Sequence, residues 1–225
     1  MSVDAFTGRA QDYTNARPGY TDEVIEYIGK LVPADAVFVE VGAGTGKFTE
    51  LLARQGYKIF AVEPNTDMRE QLAITLASFP DVKIVAGSAE VTTLPDNSVD
   101  VIVSAQALNW FDIDAFRIES QRIGKSNPMV ISVYNYNPSE EHGISRYKKS
   151  TAALYSTPII REFSNPICFT QDKWLQYFFS MAGVPNISDP NYYAYSADLN
   201  KRFDCECVDG VLCLNLITCV YSEKL

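Results

Sequence analysis

The residues best suited to chemistry stand in one short stretch, Val39-Glu40-Val41-Gly42-Ala43-Gly44-Thr45-Gly46-Lys47-Phe48-Thr49, where a β-branched run breaks into alternating glycines. Without a Cβ, such a loop lets a ligand lie against bare Cα atoms. Three readings compete. A Walker A loop needs Gly, four residues, then Gly-Lys-Ser/Thr. Here the first Gly position is Val41 and the hydroxyl position is Phe48, so nothing would hold magnesium. The dinucleotide fingerprint Gly-x-Gly-x-x-Gly accepts Gly42 and Gly44, but the third glycine falls at 46 and position 47 is Lys. What remains is Gly-x-Gly-x-Gly behind Glu40, and a carboxylate there suits a cationic ligand better than a pyrophosphate.

A second acid reinforces the loop. Glu63 follows the run Tyr57–Val62 and lies 21 positions after Gly42, where a carboxylate in a doubly wound sheet accepts ribose hydroxyls. Pro64 disfavours the helical region for Glu63 and keeps it extended at the strand's carboxyl edge. The alternative is an acid that merely stabilises the next helix N-terminus.

Alternating elements must position these groups. Thr21 to Leu31 has helical spacing behind a Thr21 cap, with Asp22 and Glu23 in the first turn. Residues 36–41, 57–62, 82–86, 99–104 and 129–134 read as strands; 47–55, 66–77 and 113–123 read as helices. Strands spaced by helices imply β-α-β units and a parallel sheet. The rhythm breaks after Tyr136. Residues 137–190 show no apolar β-branched strand and read as a helical insertion, and strands are expected at Tyr192–Ser196 and Gly210–Tyr221. The expectation is an α/β, Rossmann-like, doubly wound sheet of seven strands, mostly parallel with an antiparallel last strand, in one domain over 1–225.

Composition narrows the partners. Of 225 residues, 47% are hydrophobic and 21% charged, which excludes disorder and coiled coil. The longest uncharged run, Trp174 to Ser188, has 15 residues including Gly183 and Pro185, too short and too polar to span a membrane. The net charge of −9 and the lack of a basic tract beyond Arg146-Tyr147-Lys148-Lys149 argue against nucleic acid. Five cysteines (168, 205, 207, 213, 219) with no apolar signal region in the first twenty residues read as free thiols in a cytoplasmic protein. Cys205-Glu206-Cys207 lacks a second ligand pair, so no metal is expected.

Taken in order, VEVGAGTGKFT (39–49), AVEPN (61–65), GSAEVTTLPDNSVDVIVSAQALNWFD (87–112), the opening FTGRAQDYTNARPGYTDEV (6–24) and DGVLCLNLITCVY (209–221) resemble class I S-adenosylmethionine-dependent methyltransferases, in the type-11 branch related to trans-aconitate methyltransferase. The resemblance is weakest over 137–200. It implies S-adenosylmethionine as cofactor. Gly42, Ala43, Gly44 and Gly46 would line its methionine part, with Glu40 near the ammonium, while Glu63, held by Pro64, would bind ribose. Ser88, Ala89 and Glu90 would contact adenine, Gln106 would sit by the methionine part, and Trp110 would wall the pocket. Tyr13 and Arg17 would close over it, Arg17 pairing with the cofactor carboxylate. The structural alternatives are a turn at Gly87-Ser88 and at Leu94–Asn97, core packing for Trp110 and Phe111, and a simple helix pair for Tyr13 and Arg17.

One departure bears on mechanism. Asn109 stands where the family often has His, and an amide takes no proton at neutral pH, so no general base is identified. A small acid, a neutral nitrogen or an activated carbon acid needs none. The insertion would hold the acceptor, through Arg146, Lys148, Lys149 and Arg161 for an anion, with Tyr134, Tyr136, Tyr147 and Tyr155 as an aromatic cleft; the alternative is a solvated helix face over core aromatics. The expected reaction is in-line methyl transfer to a small molecule. A non-catalytic cofactor-binding protein and an NAD-dependent oxidoreductase are the competing functions, the latter opposed by the glycine spacing.

Overall fold

Short runs of Val, Ile and Phe become central strands because both their faces are covered by helices. The computed structural model describes residues 7, 10, 14, 16–139, 141–181 and 183–225. It opens with α1 (Asp22–Leu31), β1 (Val37–Val41), α2 (Lys47–Ala53), β2 (Lys58–Val62), α3 (Thr66–Thr75) and β3 (Val82–Val85). Next come β4 (Val99–Ala105), a 3₁₀ turn (Leu108–Trp110), α4 (Ile113–Ile123) and β5 (Gly124–Tyr136). The chain closes with α5 (Glu141–Leu154), β6 (Ile159–Phe169), α6 (Gln171–Phe179), α7 (Tyr192–Glu206) and β7 (Leu212–Lys224).

The sheet runs β3-β2-β1-β4-β5-β7-β6, parallel through β5 and antiparallel at β7 and β6. Strand order reverses between β1 and β4, which leaves a crevice at their carboxyl ends. Phe38, Val101, Val103, Ile131 and Val133 pack on one face with Val24, Ile28 and Leu52 of the helices. On the other face Val39, Val41, Ile102 and Val130 meet Phe116 and Ile123 of α4 and Leu154 of α5. Asn65 and Asp112 cap α3 and α4, accepting from the N–H groups of Met68 and Ala115. Thr21 holds the cap position of α1, but its hydroxyl makes no capping hydrogen bond.

Three expectations are corrected. The seven strands are there, but the sixth is Ile159–Phe169, inside the stretch read as helical. It lies at the sheet edge with only β7 beside it, so its polar residues Arg161, Glu162 and Ser164 face solvent and mask the strand signal. Tyr192–Ser196 is not a strand but the first turns of α7: Tyr192 and Tyr195, one turn apart, both pack on the Phe179 ring at 4.8 and 5.7 Å. Cys168 and Cys213 face each other across β6 and β7 and form a disulfide, so only Cys205, Cys207 and Cys219 are free thiols. No helix among the described residues is long and apolar enough to cross a membrane.

Candidate functional site

A cavity of about 300 Å³ opens at the strand-order reversal. The loop after β1 supplies Gly42, Ala43, Gly44 and Thr45, and the start of α2 supplies Lys47; the end of β4 and the 3₁₀ turn beyond it supply Ala105, Gln106, Asn109 and Trp110. Tyr134, Asn135, Tyr136 and Asn137 come from β5 and its exit, Tyr177 and Met181 from α6 and its end, and Arg17, Pro18 and Tyr20 from the segment before α1.

The glycine loop turns over the end of β2, where the N–H groups of Gly42 and Ala43 both donate to the Val62 carbonyl, at 2.9 and 3.0 Å. Gly42, Gly44 and Gly46 all have positive φ, at 73°, 57° and 90°, a region costly for other residues. Their surroundings differ. A Cβ on Gly42 or Gly46 would stand 2.7 Å from Ala107 Cβ or Leu72 Cδ1, whereas a Cβ on Gly44 would meet nothing within 4 Å. Gly46 therefore serves packing against α3 and does not line the cavity, while Gly44 presents an open Cα to it.

Glu40 is 1% exposed and lines the cavity. Among the described residues it has no basic partner and receives one hydrogen bond, from Thr49 Oγ1 at 2.5 Å. Burial pushes its carboxyl up to about 8, against the pull of that hydrogen bond. The Thr45 hydroxyl is also buried and has no partner among the described residues. Lys47 Nζ donates to the Arg17 carbonyl at 2.9 Å, and burial lowers its pKa. Gln106 adopts a left-handed φ of 58° at the end of β4, with its Nε2 donating to the Asn135 carbonyl at 3.0 Å.

The remaining expected residues divide. Arg17, Glu40, Gly42, Ala43, Gly44, Gln106 and Trp110 converge on the cavity. Glu63, Pro64, Ser88, Ala89 and Glu90 lie outside it, beyond the glycine loop. Glu63 reaches that loop directly: its Oε2 accepts from Gly44 N at 2.9 Å and its Oε1 from Asn65 N at 2.8 Å. Burial raises its pKa despite both donors. Ser88 forms a turn with Val91, Ala89 is buried in the core, and Glu90 accepts from the Asp112 N–H at 3.0 Å. Tyr13 lies outside the described residues.

The expected acceptor residues mostly fall elsewhere. Arg146, Lys148, Lys149 and Arg161 are exposed and do not line the cavity. Tyr147 and Tyr155 are buried core residues; Tyr147 stacks on Tyr134 at 4.0 Å and Tyr155 hydrogen-bonds Ser132 at 2.7 Å. Only Tyr134 and Tyr136 of the four tyrosines reach the cavity. Asn135 could have been read from its place at a strand's carboxyl end; Tyr177 and Met181 carry no such signal.

Residues 39–131 match the family model described as a methyltransferase domain. An uncharacterised methyltransferase of Mycobacterium tuberculosis is 31% identical over 186 residues, covering 80% of this chain and 74% of that protein. This chain belongs to the class I S-adenosylmethionine-dependent methyltransferases. An uncharacterised methyltransferase-like protein of Schizosaccharomyces pombe is 33% identical over 138 residues, 60% of this chain; the chain spans about half of that relative, 53%. A solved structure provisionally assigned as a type II methyltransferase from Anaeromyxobacter dehalogenans superposes with a TM-score of 0.64 at 20% identity, covering 92% of this chain and 97% of that one. At that identity the likeness speaks for the shared fold.

The residues present fit this methyltransferase family's cofactor. A buried carboxylate and a buried hydroxyl, the one without a cation and the other without a partner among the described residues, share one cavity wall with an open glycine Cα, and a small ammonium-bearing group answers all three.

Proposed function

We propose that the protein transfers a methyl group from S-adenosylmethionine to a small anionic acceptor, and that the whole chain, 1–225, works as one catalytic unit in which residues 137–190 cap the acceptor. The observation that carries the reading is Glu40, buried in the cavity wall with Thr49 as its hydrogen-bond donor. In this reading Glu40 pairs with the ammonium of the cofactor's methionine half, and Arg17 faces its carboxylate. Gly42, Ala43 and Gly44 give the backbone room, and Gln106 and Trp110 border the same half. Glu63 receives the ribose on the other side of the loop, with Ser88, Ala89 and Glu90 beside the adenine.

When bound, the cofactor supplies an activated methyl group with a neutral leaving group, so the chain's own work is alignment and exclusion of water. Among the described cavity-lining residues, Glu40 is committed in this reading to the cofactor's ammonium and Lys47 donates to the Arg17 carbonyl, which leaves no free base. Asn109, Asn135 and Asn137 are amides, and burial raises Tyr134 and holds Tyr136 up at about 12, so those phenols stay neutral. The acceptor must therefore arrive already able to attack. Charge favours a carboxylate: with Arg17 and Glu40 answering the cofactor's own carboxylate and ammonium, the positive charges left facing the acceptor among the described residues are Lys47 and the sulfonium. Tyr134, Tyr136 and Tyr177 would then pack on the acceptor's body. In-line attack converts a sulfonium and a carboxylate into two neutral groups, a step that a dry site favours.

The test is transfer of a labelled methyl group from S-adenosylmethionine to a panel of small carboxylic acids, amines and phenols, beside direct binding of S-adenosylhomocysteine. Binding with methylation of acids supports the proposal. Binding with transfer only to amines overturns the acceptor class, and binding with no transfer to any class supports a non-catalytic role.

A further inference from the structure

Before α1, residues Arg17–Tyr20 run along the cavity, which Arg17, Pro18 and Tyr20 line, as a strap tied at several points. The Arg17 carbonyl accepts from Lys47 Nζ at 2.9 Å, and the Arg17 guanidinium donates to the Ser180 carbonyl at 3.3 Å while lying over the Tyr177 ring. Tyr20 meets the Phe48 ring edge-on at 4.9 Å. A further tie comes from β5 and β6. Gly19 offers its carbonyl to two side-chain amides at once, Asn135 Nδ2 at 3.0 Å and Asn165 Nδ2 at 3.1 Å.

Those amides belong to a closed polar set spanning β5, β7 and β6. Thr218 Oγ1 donates to Asn135 Oδ1 at 2.5 Å and lies 3.1 Å from Asn165 Nδ2, which also reaches Asn135 Oδ1 at 3.3 Å. Asn135, Asn165 and Thr218 are 8%, 9% and 0% exposed. Buried polar groups are costly unless satisfied, and apolar residues would fill three adjacent strands without that requirement. What the polar set does that an apolar one cannot is hold a backbone carbonyl from a segment far away in sequence. Asn135 also lines the cavity, and its own carbonyl anchors Gln106.

We infer that Asn165 and Thr218, which stand outside the cavity, are positioning residues: acting through Asn135 and the Gly19 carbonyl, they set the Arg17–Tyr20 strap over the methionine half of the cofactor. This rests on the proposed placement of S-adenosylmethionine in the cavity. The set aims two N–H donors at one carbonyl, and loss of either Thr218 or Asn165 leaves the other members underbonded, so the strap is loosened at Gly19 without any change to the groups that bind adenosine.

The test uses the full chain as Thr218→Val, Thr218→Ser and Asn165→Leu, the last on an edge strand where folding is least at risk. Binding is measured for S-adenosylhomocysteine and for 5′-methylthioadenosine, which lacks the amino-acid half. Thr218→Val and Asn165→Leu are expected to weaken the first by about tenfold and the second by less than about twofold, with Thr218→Ser close to wild type. Hydrogen exchange at Arg17, Gly19 and Tyr20 in the free protein is expected to speed up in the same two variants and not in Thr218→Ser. Equal weakening of both ligands, or unchanged exchange at the strap, overturns the inference. Failure of the wild type to bind either ligand overturns the cofactor placement instead, and the exchange rates still decide whether the polar set holds the strap.

Discussion

Because burial holds the Glu40 carboxyl at about 8, about nine in ten copies of the free protein carry a proton there at pH 7. A ligand ammonium facing that group favours the ionised form, so binding must expel the proton. At pH 7 the expected release is about 0.9 proton per ligand bound. One pH unit lower, the fraction ready to bind falls about ninefold, equivalent to about 1.3 kcal/mol. Isothermal titration of S-adenosylhomocysteine at pH 7, in two buffers of different ionisation enthalpy, reads the proton directly, and a second titration at pH 6 reads the affinity. Glu63 also has a pKa raised by burial, so Glu40→Gln is needed to assign the effect. The amide keeps an acceptor for Thr49 but cannot titrate, and it should bind more weakly at pH 7 with no proton release and no slope between pH 6 and 7. In the free protein the linkage has the opposite consequence. A carboxyl raised above its unfolded value stabilises the fold below about 4.5, and that contribution is lost as pH rises through about 8; Glu40→Gln should flatten the decline in melting temperature over that window. A wild-type binding enthalpy independent of buffer, together with equal affinity at pH 6 and 7, would refute the reasoning.

The last two glycine positions of the loop, 44 and 46, should separate cleanly. Gly44→Ala pays about 1–2 kcal/mol for its left-handed backbone and should weaken S-adenosylhomocysteine about tenfold or more by placing a methyl in open cavity, whereas Gly46→Ala meets Leu72 Cδ1 and should lower the melting temperature further while affecting affinity less. Glu119→Gln should lower the melting temperature by about 2–8 °C, because Glu119 holds Arg122 and both the N–H and hydroxyl of Thr92. Its carboxyl is held down at about 2, chiefly by Arg122, so this stabilisation is present above about 4.5 and is lost as pH falls towards 2; the gap between variant and wild type should close there. Arg146→Ala, at an exposed position that does not line the cavity, should leave acceptor KM and kcat unchanged.

The doubly wound half is legible because its central strands β1 and β4 are buried on both faces and its helices keep an apolar period. VFVEV at β1 and the apolar period of Ile113–Ile123 read directly from residue type. The edge strand β6 is not legible in the same way. In β6, Arg161, Glu162, Ser164 and Pro166 face outwards, and the strand exists through its pairing with β7 rather than through its own composition. Local propensity is overridden in α7 too, where the aromatic string Tyr192-Tyr193-Ala194-Tyr195 suits a strand but two of its rings are claimed at helical spacing by Phe179. At the site, Glu40 and the glycines declare themselves by order along the chain. Tyr177, Met181 and Asn165 do not, since only the packing of α6 and the edge of the sheet against the opening segment brings them near the loop.

Gly19 is held by residues 116 and 146 positions away, and Thr218, which completes that set, lies near the end of the chain. During synthesis the glycine loop and the acids around it emerge early and can fold on the first four strands. The partners that fasten Gly19 have not yet been made at that stage. Until β7 pairs with both β5 and β6, the opening segment has nowhere to dock on that side, and the cavity is a trough rather than an enclosure. The order of assembly thus runs against the order of translation: Gly19 leaves the ribosome well before Asn135 and Asn165 yet is fastened only once they are in place, and a nascent chain at that stage carries the loop without its cover.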